Sequence, residues 1–330
     1  MKHISILVPK GAAALSCMEG PYSLFNKVND FLISMDRAPV FEVQLVGLAM
    51  EAQVYDKMFT VRPDLVTGDL HHTDLIIIPA VNGDMKTVIE LNKDFFPWIN
   101  AQYAAGAEVA SLCVGAFLLA STGLLKGKKC ATHWIAANDF RSLFPDVNLV
   151  SEKIITDEEG IYSSGGANSL WNLLLYLVEK YTDREIAILC SKYFEIEIDR
   201  DSQSPFIMFQ GQKGHQDESI KKAQEFIENN FQDKITVDKL SSMFALGRRS
   251  LERRFKKATC NTVSAYIQRV KVEAAKKSFE TSRKNINEIM YDVGYSDTKA
   301  FRTIFKKTTG LSPVEYRNKY NKETLLFQNN

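Results

Sequence analysis

The residues best suited to chemistry lie in Glu108-Val109-Ala110-Ser111-Leu112-Cys113-Val114-Gly115-Ala116-Phe117-Leu118-Leu119-Ala120. A strand that ends at Cys113 would turn sharply into a helix, with Gly115 and Ala116 leaving room for the turn. That layout is a nucleophile elbow, which lifts one side chain above a sheet at the amino end of a helix. Free amides and the helix dipole there favour a thiolate. Farther on, Ala131-Thr132-His133-Trp134 supplies a histidine that can lie beside the thiol. Read locally, the same segment also suits plain core, because free cysteine is among the most buried residue types.

Such an elbow needs a sheet to carry it. Ile4 to Val8, Val40 to Val46 and Asp74 to Pro79 read as strands. The last has no polar alternation after Asp74, as expected of a parallel sheet covered on both faces. Helices are predicted over Leu24 to Ile33, Met85 to Leu91, Phe95 to Gly106 and Leu170 to Lys180. The alternation predicts an open α/β sandwich over residues 1–198, with ligands at the carboxyl ends of its strands.

The elbow, the following Thr122-Gly123-Leu124-Leu125-Lys126-Gly127 and the Thr132-His133-Trp134 run resemble the PfpI-type, class I glutamine amidotransferase-like domain, a flavodoxin-like fold. More narrowly they resemble GlxA-like regulators, over about residues 3–195. The resemblance implies a ligand site of Cys113, Val114, His133, Trp134, Cys17, Glu19, Ala80 and Gly166. Departures from the pattern bear on catalysis. Val114 stands where enzymes of the superfamily often carry histidine, Cys17 at an acidic position, and Asn172 where relatives often carry aspartate. Glu19 would supply the missing carboxylate by a small shift. A thiol without a matched acid or base argues against turnover. The expectation is therefore a sensor of a small-molecule effector: not an enzyme, with no catalytic residues, cofactor or metal. A Cys113-dependent hydrolase or amidase, and a domain serving only dimerisation, are the alternatives.

The carboxy-terminal part repeats itself at an offset of 50 residues. Leu251 meets Phe301, Phe255 meets Phe305, Lys256-Lys257 meets Lys306-Lys307, Thr259 meets Thr309 and Tyr266 meets Tyr316. One supersecondary unit used twice accounts for this. In the first copy Thr236 caps a helix with Val237, Leu240 and Phe244 at helical spacing, and Ala245-Leu246-Gly247 turns into a second helix. In the second, Ile286, Ile289 and Val293 lead through Gly294-Tyr295-Ser296-Asp297 into Thr298 to Lys307. Two helices across a tight turn make a helix-turn-helix. With Leu251, Phe255, Phe301 and Phe305 buried, the outward faces carry Arg248, Arg249, Ser250, Arg253 and Lys256 in one copy. Thr298, Lys299, Arg302 and Thr303 take those places in the other.

Ser250-Leu251-Glu252-Arg253-Arg254-Phe255-Lys256, Gly294-Tyr295-Ser296-Asp297-Thr298-Lys299-Ala300-Phe301 and the run Phe305 to Arg317 resemble the AraC/XylS-type DNA-binding domain. The match spans roughly residues 218–320 and implies two units joined by a long helix, here about Thr262 to Phe279, reading adjacent major-groove segments of double-stranded DNA. Cys260 replaces the usual glycine after the first recognition helix. Arg248, Arg249, Arg253, Lys299 and Arg302 are the expected base readers, supported by Ser250, Thr298 and Thr303. Lys256 is expected on phosphate.

Charge agrees with this division. Residues 217–330 hold 23 basic and 14 acidic side chains, a surplus of nine, while residues 1–216 hold 18 and 26, a deficit of eight. Such asymmetry within one chain of net charge +1 is the footprint of one polyanion-binding domain. Hydrophobic residues at 45% describe a globular chain of 330 residues, enough for two domains. No apolar stretch approaches the roughly 20 residues of a membrane span, and none resembles a secretory leader. Five scattered cysteines without a CxxC pair point to a reducing cytoplasm. Residues 199–217, rich in Ser, Gln, Gly and Pro, read as a linker between the sensor and an all-α domain over 218–330, with its apolar Phe206-Ile207-Met208-Phe209 run expected to dock on a domain. The resemblances further imply a homodimer on paired half-sites, with RNA polymerase as another partner.

Overall fold

The computed structural model describes residues 1–51, 53–55, 59–198 and 200–321. Its chain divides into two compact units, Met1 to Gln203 and the residues from Ser204 onward.

The first unit is built on a seven-stranded sheet: β1 (Lys2–Leu7), β2 (Phe41–Gly47), β3 (Leu65–Val66), β4 (Leu75–Ile78), β5 (Glu108–Ser111), β6 (Ile155–Glu158) and β7 (Ile161–Ser164). The spatial order is β6-β7-β5-β4-β1-β2-β3, parallel throughout except that β6 runs against β7. Register pairs Ile4 with both Val43 and Leu75, and Ile78 with Ser111. Every residue of β4 is buried, as the apolar run predicts for a strand covered on both sides. Helices α1 (Ser16–Ser34), α2 (Met85–Asn92), α3 (Phe95–Ala104), α4 (Ala116–Ser121), α5 (Ala137–Leu143), α6 (Ser169–Tyr181) and α7 (Arg184–Tyr193) flank the sheet. Helices α1, α6 and α7 pack on one another, while α3 lies against β5 and α4 against β4. The observed α1 starts eight residues before the predicted Leu24. Pro21, the sixth residue of α1, lacks the amide that would bond to Cys17 O, and the helix continues through it to Ser34.

The second unit is helical: α8 (Glu218–Asn229), α9 (Val237–Met243), α10 (Arg248–Thr259), α11 (Val263–Thr281), α12 (Ile286–Asp292), α13 (Thr298–Thr309) and α14 (Pro313–Tyr320). Two separate cores hold it. Leu240, Leu251, Phe255 and Tyr266 anchor the first; Ile289, Phe301, Phe305 and Tyr316 anchor the second. Helix α11 feeds both, giving Val263, Tyr266 and Val270 to one and Val272, Ala275 and Phe279 to the other. At 1.5 Å per residue its 19 residues make a strut of about 28 Å. Caps mark the helix starts. The Thr236 hydroxyl accepts from Lys239 N at 3.1 Å, and the Asp297 carboxylate from Lys299 N and Ala300 N at 2.8 and 3.0 Å. Such a cap stabilises its helix by about 1 kcal/mol. Cys260 ends α10 at φ +55°, the left-handed cap that Gly310 supplies for α13 at φ +76°.

The stretch 199–217 is not a free connector in this structure. Asp199 lies outside the described residues, as do 322–330 of the helical part. Gln203 is buried in the first unit. Residues 204–217 are fastened to the second: Phe209 N–H donates to the Glu273 carboxylate at 3.0 Å, and Asp217 caps α8 through Ile220 N. The apolar run expected to dock does so through Phe209, which packs on the first helical core, and Lys276 holds the Ile207 carbonyl beside it.

Candidate functional site

At the end of β5, Leu112 is extended and Cys113 turns to φ +55°. A non-glycine residue held there costs on the order of 1 kcal/mol. The turn is forced by the close approach of the chain at Gly115, where a Cβ would lie 2.5 Å from the Ile78 carbonyl oxygen. Hydrogen bonds then tie three strand ends together. Leu112 N–H donates to Ile78 O at 2.9 Å, and Cys113 N–H to Ser164 Oγ at 3.2 Å. The Thr132 hydroxyl donates to Cys113 O at 3.0 Å, which anchors the segment carrying His133 to the elbow.

The elbow geometry expected from the sequence is therefore present, but its thiol is not activated. Cys113 is only 8% exposed. Burial, with the Cys17 thiol beside it as a smaller cause, pushes its pKa up to about 12, against the Val114 amide that favours the thiolate. The expected thiolate is replaced by a neutral thiol, because desolvation outweighs the single amide and α4 has only six residues. Cys17 is likewise raised by burial, opposed by hydrogen bonding to the Ala80 backbone and Ser16. Cys17, Ala80, Cys113 and Val114 thus share one buried neighbourhood.

His133, Trp134 and Gly166 make a second group. His133 Nδ1 accepts from Ile135 N at 3.1 Å, so the neutral ring carries its proton on Nε2. Half-burial depresses its pKa below the ordinary value. The Trp134 ring lies 5.5 Å from that of His133, and a Cβ on Gly166 would stand 3.7 Å from His133 Nε2. Among the described residues no hydrogen bond joins His133 to Cys113. Glu19 does not join either group: it is exposed and accepts from Ser23 one turn along α1. Two residues from Cys17 is about 200° around a helix, which turns Glu19 away from the buried side. Ser164, Thr132 and Gln203 also shape this region. Local sequence marks none of them, except that Thr132 adjoins His133.

The helical unit presents a second candidate surface. Burial along 251–260 and 301–310 follows one identical pattern, with every fourth position inside. Arg248, Arg249, Arg253 and Lys256 are exposed on α10, as are Lys299, Arg302 and Thr303 on α13, while Ser250 and Thr298 are half-buried in the first turns. Arg248 is held by Asp238 at 3.1 Å and Glu252 at 3.7 Å. Exposed pairs of this kind are worth about 0–1 kcal/mol and yield readily to a phosphate or base. Arg249, Arg253, Lys299 and Arg302 have no ion pair among the described residues. Other cations serve the fold instead. Arg254 grips Asp217 with two bonds of 2.8 and 2.6 Å. Lys271 donates to Gly294 O at 3.0 Å, and Lys276 to Ile207 O at 2.6 Å. The basic surplus of this unit is thus partly internal.

Comparison with known proteins follows the same division. Residues 18–180 match the DJ-1/PfpI family and residues 240–319 a helix-turn-helix domain. The chain is 24% identical over 258 residues to the HTH-type transcriptional regulator GbdR of Pseudomonas aeruginosa, covering 78% of this chain and 69% of that one. It is 27% identical over 215 residues to the HTH-type transcriptional regulator ArgR of the same species, covering 65% of each. In fold, the chain is similar to an AraC family transcriptional regulator from Pseudomonas putida. That TM-score is 0.50 at 16% identity, covering 59% of this chain and all of that one.

Proposed function

The chain joins a DJ-1/PfpI-family domain to an AraC-type helix-turn-helix domain, the combination of DNA-binding transcription regulators, and we propose on that premise that its α/β unit senses a small metabolite and its helical unit reads an operator. The observation that carries the DNA reading is the matched pair of exposed, arginine-bearing faces on α10 and α13, with Leu251 and Phe255 of the one and Phe301 and Phe305 of the other locked in separate cores. Residues early in such helices meet base edges, and the flanking lysines meet phosphate. We assign base reading to Arg249, Arg253, Lys299 and Arg302, with Arg248, Ser250, Thr298 and Thr303 beside them, and phosphate contact to Lys256.

In this reading the effector binds around Cys113, Val114, Cys17 and Ala80 and the neighbouring His133, Trp134 and Gly166, at the carboxyl ends of the strands. The α/β unit recognises and does not catalyse, because a buried neutral thiol without a bonded base is a poor nucleophile. A ligand alters DNA affinity only by binding the two arrangements of the protein unequally. The protein works in the cytoplasm, as a homodimer on paired half-sites, and meets RNA polymerase there. Selection of bound fragments from a random DNA pool tests the central reading. Enrichment of a two-part motif, lost at one part in Arg253→Ala and at the other in Arg302→Ala, is expected. A pool that stays random would refute it.

A further inference from the structure

The side chain of Gln203 is buried to 1% exposure, at the last residue of the α/β unit. Its carboxamide oxygen accepts from Gly166 N–H at 3.0 Å. Its amide nitrogen donates to the carbonyl oxygens of Thr132 at 3.0 Å and Lys153 at 3.1 Å. The reverse orientation would set the carboxamide oxygen against two carbonyl oxygens, so chemistry fixes which end points where. One donor and two acceptors, all backbone, therefore converge on one planar group. Two of the three adjoin residues already described: Gly166 faces His133, and the Thr132 hydroxyl is bonded to Cys113 O. The seat is cut for this group. A Cβ on Gly165 would lie 2.6 Å from the Gln203 amide nitrogen, so the bare backbone of Gly165 gives the carboxamide its room.

We propose that this seat is a recognition site for a primary carboxamide, that Gln203 occupies it as a tethered internal ligand, and that an effector bearing such a group competes with Gln203 for it. The inference rests on the sensor reading of the α/β unit, and its test involves no DNA, so failure of either leaves the other distinguishable. Complementarity sets the ligand class. A carboxylate lacks the two donors, an ammonium lacks the acceptor, and a dialkylated amide has no N–H to give. Leaving the two carbonyls or the Gly166 amide unmet in a buried seat is costly, so only a group that replaces all three bonds displaces Gln203. The backbone around Gln203 forms a short strip along one loop. Gln203 N–H donates to Glu152 O at 2.9 Å, the Ser202 hydroxyl to the same oxygen at 3.0 Å, and Ser202 pairs with Lys153. Ser204, the next residue in the chain, begins the DNA-binding unit. Displacement of Gln203 thus acts on the peptide that connects the two units.

Propionamide is the probe, titrated into the full-length protein while the Gly166 amide resonance is followed by nitrogen-15 correlation spectroscopy. A tethered competitor acts at an effective concentration of about millimolar or more. Its removal in Gln203→Ala is expected to lower the propionamide concentration for half-saturation at least tenfold. Gln203→Glu, which sets a carboxylate against two carbonyls and expels itself, gives the same gain if the alanine variant does not fold. N,N-dimethylpropionamide and propionate leave the resonance unmoved. Equal half-saturation in wild type and variant, no saturation in either variant, or an equal response to the dimethyl analogue would overturn the proposal.

Discussion

Alkylation of the cysteines measures whether Cys113 is a poised nucleophile or a buried thiol. Its pKa of about 12 stands against an ordinary value of 9.0. At pH 8 an unshifted thiol is ionised to about one part in ten, and Cys113 to about one part in ten thousand, a deficit of roughly a thousandfold. A more basic thiolate is intrinsically more nucleophilic. With a Brønsted slope of about 0.4–0.5, three units return roughly 15- to 30-fold. The net expectation is a rate about 30- to 60-fold below that of an unshifted thiol, before any cost of access through a buried site. Cys260, exposed at the end of α10, is the internal reference. The assay is timed iodoacetamide labelling of the native protein at pH 7, 8 and 9, with each cysteine peptide quantified by mass spectrometry. Cys260 is expected to label first, and the Cys113 rate to rise about tenfold per pH unit with no plateau. Labelling of Cys113 at or above the Cys260 rate, or a plateau below pH 9, would refute the neutral-thiol argument and restore catalysis at the elbow.

Replacing Arg253 or Arg302 by alanine is expected to weaken operator binding by about 1–3 kcal/mol for a bidentate guanine contact, read by fluorescence anisotropy at fixed salt. Cys260→Gly relieves a left-handed cap and is expected to raise the stability of the helical unit by about 1 kcal/mol in denaturant titration. Cys113 and Cys130 both have pKa values raised by burial to about 12. The stability this represents is complete below pH 9 and is lost as pH rises toward 12, because only the unfolded chain releases the protons in that window. Chemical denaturation at pH 10 is expected to show a loss of about 1 kcal/mol per thiol relative to pH 8, reduced in Cys113→Ala. His133, depressed by burial, is expected to titrate by NMR below 6.5 with its proton on Nε2. Since its folded pKa lies below the unfolded one, its contribution is present above pH 6.5 and lost as pH falls through the folded value.

Much of this architecture is legible in the chain because it is local. Apolar runs at Ile4 to Val8 and Asp74 to Pro79 announce buried parallel strands, and the 50-residue repeat with Leu251, Phe255, Phe301 and Phe305 announces two like helical units. The caps at Thr236 and Asp297 and the left-handed turn at Cys260 follow from the same short-range rules. The elbow is legible too, since Gly115 two residues after Cys113 permits one kind of turn. What only the tertiary structure decided is the state of each group once placed. Residue types at Cys113 suggest a thiolate, but its ionisation depends on solvent excluded by Cys17 and the ends of other strands, which no local spacing encodes. Glu19 lies near Cys17 in sequence, yet helical rotation carries it to solvent. Gln203 reads as an ordinary polar linker residue, and its role appears only where Thr132, Lys153 and Gly166 meet. Lys271 and Lys276 count as surface charge in the composition, whereas the fold buries both and bonds them to the backbone carbonyls of Gly294 and Ile207. Short-range periodicity determines which elements form; desolvation and hydrogen bonding between distant segments determine what their side chains can do.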